Sequence, residues 1–167
     1  MVRAMGRQSG KQGSRRREKG DRGEATAGDH IIVAVGAIIR DEGGRILLVK
    51  HRPERQGFWE GKWICPGGEL RFGEILQEGI MREVEEETNL EITLIQSLPP
   101  FQRIARSGTE PFLHVIYIDY LAEIKGGKLK PGGDVGEAVW VTPEEIYQRW
   151  EDLHDDTKRL LSLASII

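Results

Sequence analysis

The feature that most constrains this chain is a stretch with helical spacing, from Glu74 to Asn89, set between segments of strand-like composition. Within it Leu76, Ile80 and Val84 recur every four residues, which predicts an amphipathic helix with its apolar face packed on a sheet. Asn tolerates the left-handed conformation that ends many helices. The pattern therefore predicts one central helix that ends at Asn89.

The same helix concentrates negative charge, since Arg82 is followed by Glu83, Glu85, Glu86 and Glu87. At about 100° per residue, Glu85 points away from the apolar stripe, whereas Glu83, Glu86 and Glu87 form one group. A carboxylate turned toward a core is costly unless it is paired or binds a cation, and oxygen ligands suit Mg²⁺ or Mn²⁺. The residues alone leave a second interpretation open, a surface helix whose acids pair with nearby basic side chains.

The segments around the helix indicate an α+β fold with a mixed sheet and flanking helices. A turn at 41–44 should join the first two strands into an antiparallel pair, and the glycines of 66–74 are expected to break any regular element there. Thr142 followed by Pro143 is a typical helix start. The predicted strands are 31–39, 45–52, 90–98, 111–124 and 137–141, and a last amphipathic segment runs over 154–167.

Charge divides the chain into two parts. Residues 1–28 carry eight Lys or Arg and three acids, a net charge of +5, whereas residues 29–167 carry sixteen and twenty-four, a net charge of -8. The first part lacks the large apolar side chains that would offset its ordering entropy, so we expect a disordered basic tail. Residues 29–167 are expected to form one domain.

Several classes of function find no support in the sequence. No apolar run approaches the roughly 20 residues of a membrane span, and the N-terminus lacks a secretory signal, so we expect a cytoplasmic protein without a membrane partner. The single Cys65 excludes an internal disulfide and a zinc-finger type of site. The acidic charge of residues 29–167 argues against an extended nucleic-acid footprint.

A longer motif surrounds the glutamates. Six residues follow the spacing G-x5-E-x7-R-E-hydrophobic-x-E-E, and Asn89 stands near its end: Gly68, Glu74, Arg82, Glu83, Glu86 and Glu87. This motif resembles the box of the MutT-like Nudix hydrolase family, with Asn89 in place of the usual Gly. Residues 63–69 (WICPGGE) and 140–143 (WVTP) are also similar to the family, so the resemblance covers about residues 30–165. It implies the Nudix fold, an α-β-α sandwich.

The resemblance implies a nucleotide pyrophosphohydrolase that uses Mg²⁺ or Mn²⁺ to cleave the pyrophosphate bond of a nucleoside diphosphate linked to another group. Glu83 and Glu87 would then be the leading metal ligands, Glu86 a ligand or the water-activating base, and the Gly68 carbonyl a further ligand. Arg82 would orient the box carboxylates. Glu74 would give structural support to the site. The loop acids Asp134 and Glu137 would be further metal ligands or a base.

The resemblance also leaves choices open. Its partner would be a small nucleotide of the ADP-ribose or nucleoside triphosphate type, and family members often form homodimers. The alternative function is a regulatory Nudix module that binds a nucleotide without hydrolysis. Candidates to stack a base are Phe58, Trp59, Phe101 and Phe112, and candidates to meet phosphates are Arg52, Arg55, Arg103 and Arg106.

Overall fold

A computed structural model describes residues 30–167, and the basic segment 1–28 lies outside the described residues. The elements are β1 (Ile32–Arg40), β2 (Ile46–His51), β3 (Gly67–Glu69), α1 (Leu76–Thr88), β4 (Leu90–Ser97), β5 (Phe101–Ser107), β6 (Glu110–Gly127), β7 (Val135–Val141), α2 (Pro143–Gln148) and α3 (Asp155–Leu163). Short 3₁₀ turns occupy Pro53–Arg55 and Trp150–Asp152. Within 30–167, no helix is long and apolar enough to cross a membrane.

The seven strands form one mixed sheet in the order β4-β6-β1-β2-β7, with β3 added to β1 and β5 added to β6. β1 and β6 run parallel over nine residue pairs, from Ile32 beside Val115 to Arg40 beside Glu123. The other pairings are antiparallel. Because β1 and β6 are central, the residues of both strands lie under the helices.

Helices cover both faces of this sheet. Successive side chains of a strand point to opposite faces, and Val35, Ala37 and Ile39 of β1 join one buried cluster while Ile38 joins the other. α1 covers the first face through the fully buried Ile80 and Val84, and α2 and α3 cover the second face. Burying an aliphatic side chain of this size stabilises the fold by about 1.5–3 kcal/mol. The α-β-α sandwich expected from the sequence is confirmed.

Local predictions at two helix ends are also confirmed. Asn89 adopts the left-handed conformation, with φ of 59°, and its N–H donates to Glu85 O at the end of α1. Thr142 begins α2 with a reciprocal capping box, in which it accepts from the Glu145 N–H while the Glu145 side chain accepts from the Thr142 N–H. Both helix ends depend on hydrogen bonds between residues close in sequence, so they can be predicted from the residue types there.

Two strands differ from the prediction. Residues 67–69 were expected to be irregular because of their glycines, but they form β3 against β1. The reason is tertiary, since a missing side chain lets the two backbones approach: a Cβ on Gly67 would lie 2.7 Å from Gly36 Cα. The polar segment β5 (Phe101–Ser107) is not predicted from its composition, and it exists because the long β6 offers it a partner.

Candidate active site

The helix α1 packs against β3 so closely that Glu83 lies beside the Gly68 backbone. A Cβ added to Gly68 would lie 2.5 Å from Glu83 Cδ and would also overlap the carboxylate oxygens. The helix α1 cannot move away freely, because Ile80 and Val84 anchor it in the core. Glycine at this position therefore leaves room for the Glu83 carboxylate.

Arg82 holds the predicted motif acids together. Its Nε and Nη2 donate to the two carboxylate oxygens of Glu74 at 2.6 and 2.9 Å, and its Nη1 donates to Glu83 Oε1 at 2.5 Å. Two longer bonds reach Glu86 Oε2 at 3.3 Å and the Glu69 carbonyl at 3.2 Å. The Arg82 guanidinium lowers the pKa of Glu74 to about 2, and Glu74 in turn raises the pKa of Arg82.

Glu87 is the buried acid of the helix, with only 5% of its surface exposed. It accepts a hydrogen bond from the Gly67 N–H at 3.0 Å, and His51 Nε2 lies 3.8 Å from its other oxygen. Burial raises the pKa of Glu87, and the contacts with His51 and Gly67 offset only part of that rise. The contacts with His51 and Gly67 therefore compensate the negative charge of Glu87 only in part.

Glu86 and Glu85 lie on the solvent side of α1. The Glu86 side chain keeps 46% of its surface exposed and pairs with Arg71 Nη2 at 3.3 Å as well as with Arg82. Glu85 is exposed, as its helical angle predicts. Glu86 is therefore exposed on α1 and, unlike Glu83 and Glu87, does not line the cavity.

The two loop acids occupy different places. Asp134 pairs with Arg55 Nε at 2.8 Å and lines the same cavity as Glu83 and Glu87. Glu137 lies opposite Lys50 in the β2–β7 ladder, 3.7 Å from its Nζ, and is not part of the cavity wall. The structure thus brings one of the two predicted loop acids to the site.

One cavity of about 330 Å³ connects these acids to an aromatic region. Its wall includes Glu83, Glu87 and Gly68 together with Trp59 and Tyr117. This volume lies in the range of small-molecule sites. Charged and aromatic side chains therefore line one cavity, whose volume is at the lower end of that range.

The described residues contain no ready-made group of three His, Cys, Asp or Glu side chains poised around one point. Arg82 satisfies Glu83, and Glu86 turns outward to Arg71. Yet the donor set suits a hard cation, because Glu83 and Glu87 are oxygen ligands on one cavity and Glu87 lacks a full countercharge. The residues present therefore fit a divalent ion.

The aromatic and basic candidates separate in a similar way. Trp59, Phe101 and Arg55 line the cavity, whereas Phe112 is half exposed elsewhere. Phe58 packs on Trp59 at 5.4 Å between ring centroids. The other three arginines are engaged: Arg52 donates to Val135 O, Arg103 donates to Asp156, and Arg106 donates to Thr109 O.

Sequence reasoning did not identify two buried aspartates on the cavity wall, Asp119 and Asp156. Asp119 interrupts the apolar run of β6, and that break in the pattern was the available signal. Asp156 follows Asp155 at the start of α3 and is indistinguishable there from an ordinary first-turn acid.

Comparisons with known proteins agree with this geometry. An ADP-ribose pyrophosphatase of Methanocaldococcus jannaschii is 36% identical over 109 residues, which are 65% of this chain and 60% of that protein. The nucleoside triphosphatase NudI of Escherichia coli is 26% identical over 130 residues, covering 74% of this chain and 90% of NudI. The crystal structure of a MutT protein from Methanosarcina mazei Go1 is 28% identical, with a TM-score of 0.64 over 81% of this chain and 92% of that chain.

A structure of lower identity matches the fold alone. The NUDIX domain of Shewanella oneidensis NrtR, 19% identical, has a TM-score of 0.66 over 86% of this chain and 92% of that chain. The family model of the NUDIX domain matches residues 30–162, most of the chain. The chain therefore belongs to the Nudix family, and the Nudix-type hydrolase expected from its sequence is confirmed at the level of the family.

Proposed function

We propose that this chain is a Mg²⁺-dependent hydrolase that cleaves the pyrophosphate bond of a nucleoside diphosphate linked to a second group. The observation that carries the proposal is a cavity that Glu83, Glu87 and the Gly68 backbone share with Trp59 and Tyr117. The first set suits a cation with phosphates, and the second set suits a base. A nucleotide would span both.

The metal would be held by Glu83 and Glu87, with Glu86 and the Gly68 carbonyl as further ligands, and Mn²⁺ is the alternative ion. When bound, such an ion neutralises charge on the phosphate oxygens and makes a bound water more acidic. Arg82 holds the Glu83 carboxylate in place through the bond at 2.5 Å. Glu74 fixes the Arg82 guanidinium from the other side, through two bonds.

A carboxylate near the metal would act as the base that removes a proton from the attacking water. Glu86 does not line the cavity, but its side chain is exposed and its pairs with Arg71 and Arg82, both at 3.3 Å, are long enough to yield to a new contact. Asp134 is a second candidate because it lines the cavity, and Glu137 would have to leave Lys50 to take part. We place Glu86 first, as water-activating base or as ligand.

The names of two relatives and the lining of the cavity support a proposal for the class of substrate. One relative is named an ADP-ribose pyrophosphatase and another a nucleoside triphosphatase, and both names denote nucleotides with a phosphoanhydride bond. We therefore propose ADP-ribose-like compounds and nucleoside triphosphates as the substrates to compare.

A regulatory module that binds a nucleotide without hydrolysis is the second candidate function. The same cavity would serve such a module, and the fold match to the NrtR domain shows only that the architecture is shared. The retained acids Glu83, Glu86 and Glu87 favour the enzyme, because a binding module has no use for a water-activating carboxylate.

The deciding experiment is hydrolysis of ADP-ribose, NADH, nucleoside triphosphates and dinucleoside polyphosphates with Mg²⁺, Mn²⁺ or EDTA. Glu86→Gln should lower kcat by about 100-fold or more. Glu85→Gln, on the same exposed side of α1, is the matched control and should stay within about two-fold of wild type. If no substrate is hydrolysed faster by wild type than by Glu86→Gln, the binding module replaces the enzyme.

Three further expectations belong to this proposal. Removing residues 1–28 should leave hydrolysis of small nucleotides intact, and a large loss would contradict a disordered tail without a catalytic part. The cytoplasmic location and the homodimer stay predictions. Sedimentation of the purified chain measures the second.

A further inference from the structure

A buried carboxylate without a partner lies on the cavity wall. Asp119 is in the middle of β6, beside Gly36 of the parallel strand β1, and only 7% of its surface is exposed. Within residues 30–167, its side chain receives no hydrogen bond and faces no cation that would hold its charge. No fully buried side-chain oxygen of residues 30–167 lacks a hydrogen-bond partner, so the unpaired Asp119 oxygens keep some access to the cavity. A largely buried carboxylate without a partner still costs stability, which a ligand in the cavity would offset.

A second aspartate on the same wall provides the contrast. Asp156 is equally buried, but Arg103 donates to its Oδ1 through two nitrogens at 2.8 and 2.6 Å, and Tyr117 donates to its Oδ2 at 2.6 Å. The Tyr117 hydroxyl also accepts from Trp59 Nε1 at 3.2 Å. Asp156 is therefore a satisfied part of the wall, whereas Asp119 keeps both oxygens free for a ligand.

The backbone opposite Asp119 is shaped to leave this space. A Cβ on Gly36 would lie 2.7 Å from Asp119 Oδ1 and 2.7 Å from the Pro66 carbonyl. Any larger side chain at position 36 would push the carboxylate out of its place. Gly36, Cys65 and Pro66 line the cavity with Asp119, so the free oxygens belong to the enclosure rather than to the core.

The surfaces next to Asp119 suit a flat aromatic ring. Tyr117 stacks on Phe101 with ring centroids 4.7 Å apart and an interplanar angle of 22°, and Trp59 lies on the same cavity. The polar atoms of Trp59 and Tyr117 are already used in bonds to each other and to Asp156. A base packed in the cavity against these aromatic side chains would present its polar edge to Asp119, whose carboxylate oxygens accept hydrogen bonds.

We infer that Asp119 selects the base of the substrate by accepting hydrogen bonds from an exocyclic amino group, so that amino-bearing bases bind better than oxo analogues. This role rests on the proposed function, because that function places a nucleotide in the cavity with its phosphates toward Glu83 and Glu87. An oxo group in the same place would set its lone pairs against the carboxylate, which discriminates strongly in a site without bulk water.

Protonation is consistent with this role. Burial raises the pKa of Asp119 to about 7, so the empty site exchanges a proton near neutral pH. An amino donor stabilises the ionised carboxylate and would lower that pKa on binding. Desolvation raises the pKa of the half-buried Cys65 thiol, and the negative charge of Asp119 raises it further, so Cys65 stays neutral.

The test is equilibrium binding of nucleoside monophosphates to the full chain by calorimetry, without metal. GMP and XMP differ in the 2-amino or 2-oxo group, and AMP and IMP differ in the 6-amino or 6-oxo group. Wild type should bind the amino member of at least one pair about 10-fold tighter or more. Asp119→Leu and Asp119→Asn should bring that ratio within about two-fold of unity. Asp155→Asn, an exposed aspartate paired with Lys158, is the matched control and should keep the wild-type ratio.

Thermal melting separates recognition from a structural role. Removing an unpaired buried charge should leave Tm unchanged or raise it, so a large drop in both Asp119 variants would overturn the inference. A wild-type protein without preference in either pair, or variants that keep the preference, would overturn it too. Selective binding that depends on Asp119 in a protein that hydrolyses nothing would support the inference and reject the hydrolase. Hydrolysis without base selectivity would do the reverse.

Discussion

Replacing Arg82 by Lys tests the part of the site on which the orientation of the acids depends. Arg82 makes five hydrogen bonds, two to Glu74 and one each to Glu83, Glu86 and the Glu69 carbonyl. Lysine keeps the positive charge but has three donors on one atom, so it cannot span Glu74 and Glu83 together. The substitution therefore removes geometry while it preserves net charge.

The expected magnitude follows from the burial of these partners. Breaking a fully buried ion pair costs about 3–5 kcal/mol, and an exposed pair is worth at most about 1 kcal/mol. Arg82, Glu74 and Glu83 each keep part of their surface in water, and lysine retains the charge. We expect a loss of about 2 kcal/mol in the free energy of unfolding, which lowers Tm by roughly 4–8 °C in a domain of this size.

The activity should fall further than the stability suggests. Residues that orient metal-binding side chains typically contribute about 10–100-fold to activity or metal affinity, and we expect kcat/KM to fall by that factor. Added Mg²⁺ should restore part of it. Arg45→Lys is the matched control, because Arg45 also pairs with an aspartate, Asp41 at 2.7 Å, but on the exposed β1–β2 turn. It should change Tm and kcat/KM little.

The pH dependence gives a second measure of the same pair. The pKa of Glu74 is about 2 when folded and about 4.5 in its ordinary state. Its pair with Arg82 therefore stabilises the fold above pH 4.5, and that stability is lost as the pH falls toward 2. Arg82→Lys should lose less stability over this range than wild type. If Arg82→Lys melts and hydrolyses like Arg45→Lys, Arg82 does not hold the site together.

Three other changes probe the site and its helix. Gly68→Ala should lower kcat/KM at least about 10-fold, because its Cβ overlaps the Glu83 carboxylate. Gly126→Ala should not, because its Cβ would lie 3.6 Å from its nearest neighbour, Glu91 Oε2, an ordinary contact. Asn89→Ala should cost about 1–2 kcal/mol in chemical denaturation, because φ is 59° there, whereas an equal loss in Asn89→Gly would contradict that cause. Asp119 holds a proton in the folded state between pH 4 and 7, so it stabilises the fold near pH 4, and this contribution is lost as the pH rises through 7. The wild-type Tm should therefore fall relative to that of Asp119→Asn from pH 5 to 8. Parallel curves of Tm against pH would refute the raised pKa.

The helix of the site was predictable because its signals are local. Four-residue spacing placed Ile80 and Val84 in the core, and the same angles separated the exposed Glu85 from Glu83 and Glu87. Angles alone grouped Glu86 with Glu83 and Glu87, but in the structure Glu86 is exposed and does not line the cavity. The burial of an acidic side chain at the edge of an apolar stripe depends on the loop that packs over it. Such a contact leaves no periodic pattern in the sequence of the helix.

Strand β3 and the acid Asp119 depend on tertiary partners, so local patterns could not reveal them. Gly67 and Gly68 break regular structure in isolation, and they form a strand only because Gly36 leaves room for their backbone. Asp119 and Asp156 look alike in sequence, yet one is satisfied by Arg103 and the other is not. The difference lies in which distant residue reaches each carboxylate.

The two acids with raised pKa values lie along one cavity. Glu87 is buried near Glu83, and Asp119 is buried beside Tyr117. Each one lowers the stability of the empty protein at neutral pH, since burial disfavours its charge. A cation near Glu87 and an amino donor at Asp119 would relieve these two losses separately. A nucleotide bound with its metal would satisfy both carboxylates at once. The stability that the two carboxylates cost the protein would then contribute to the binding free energy of a ligand with both features.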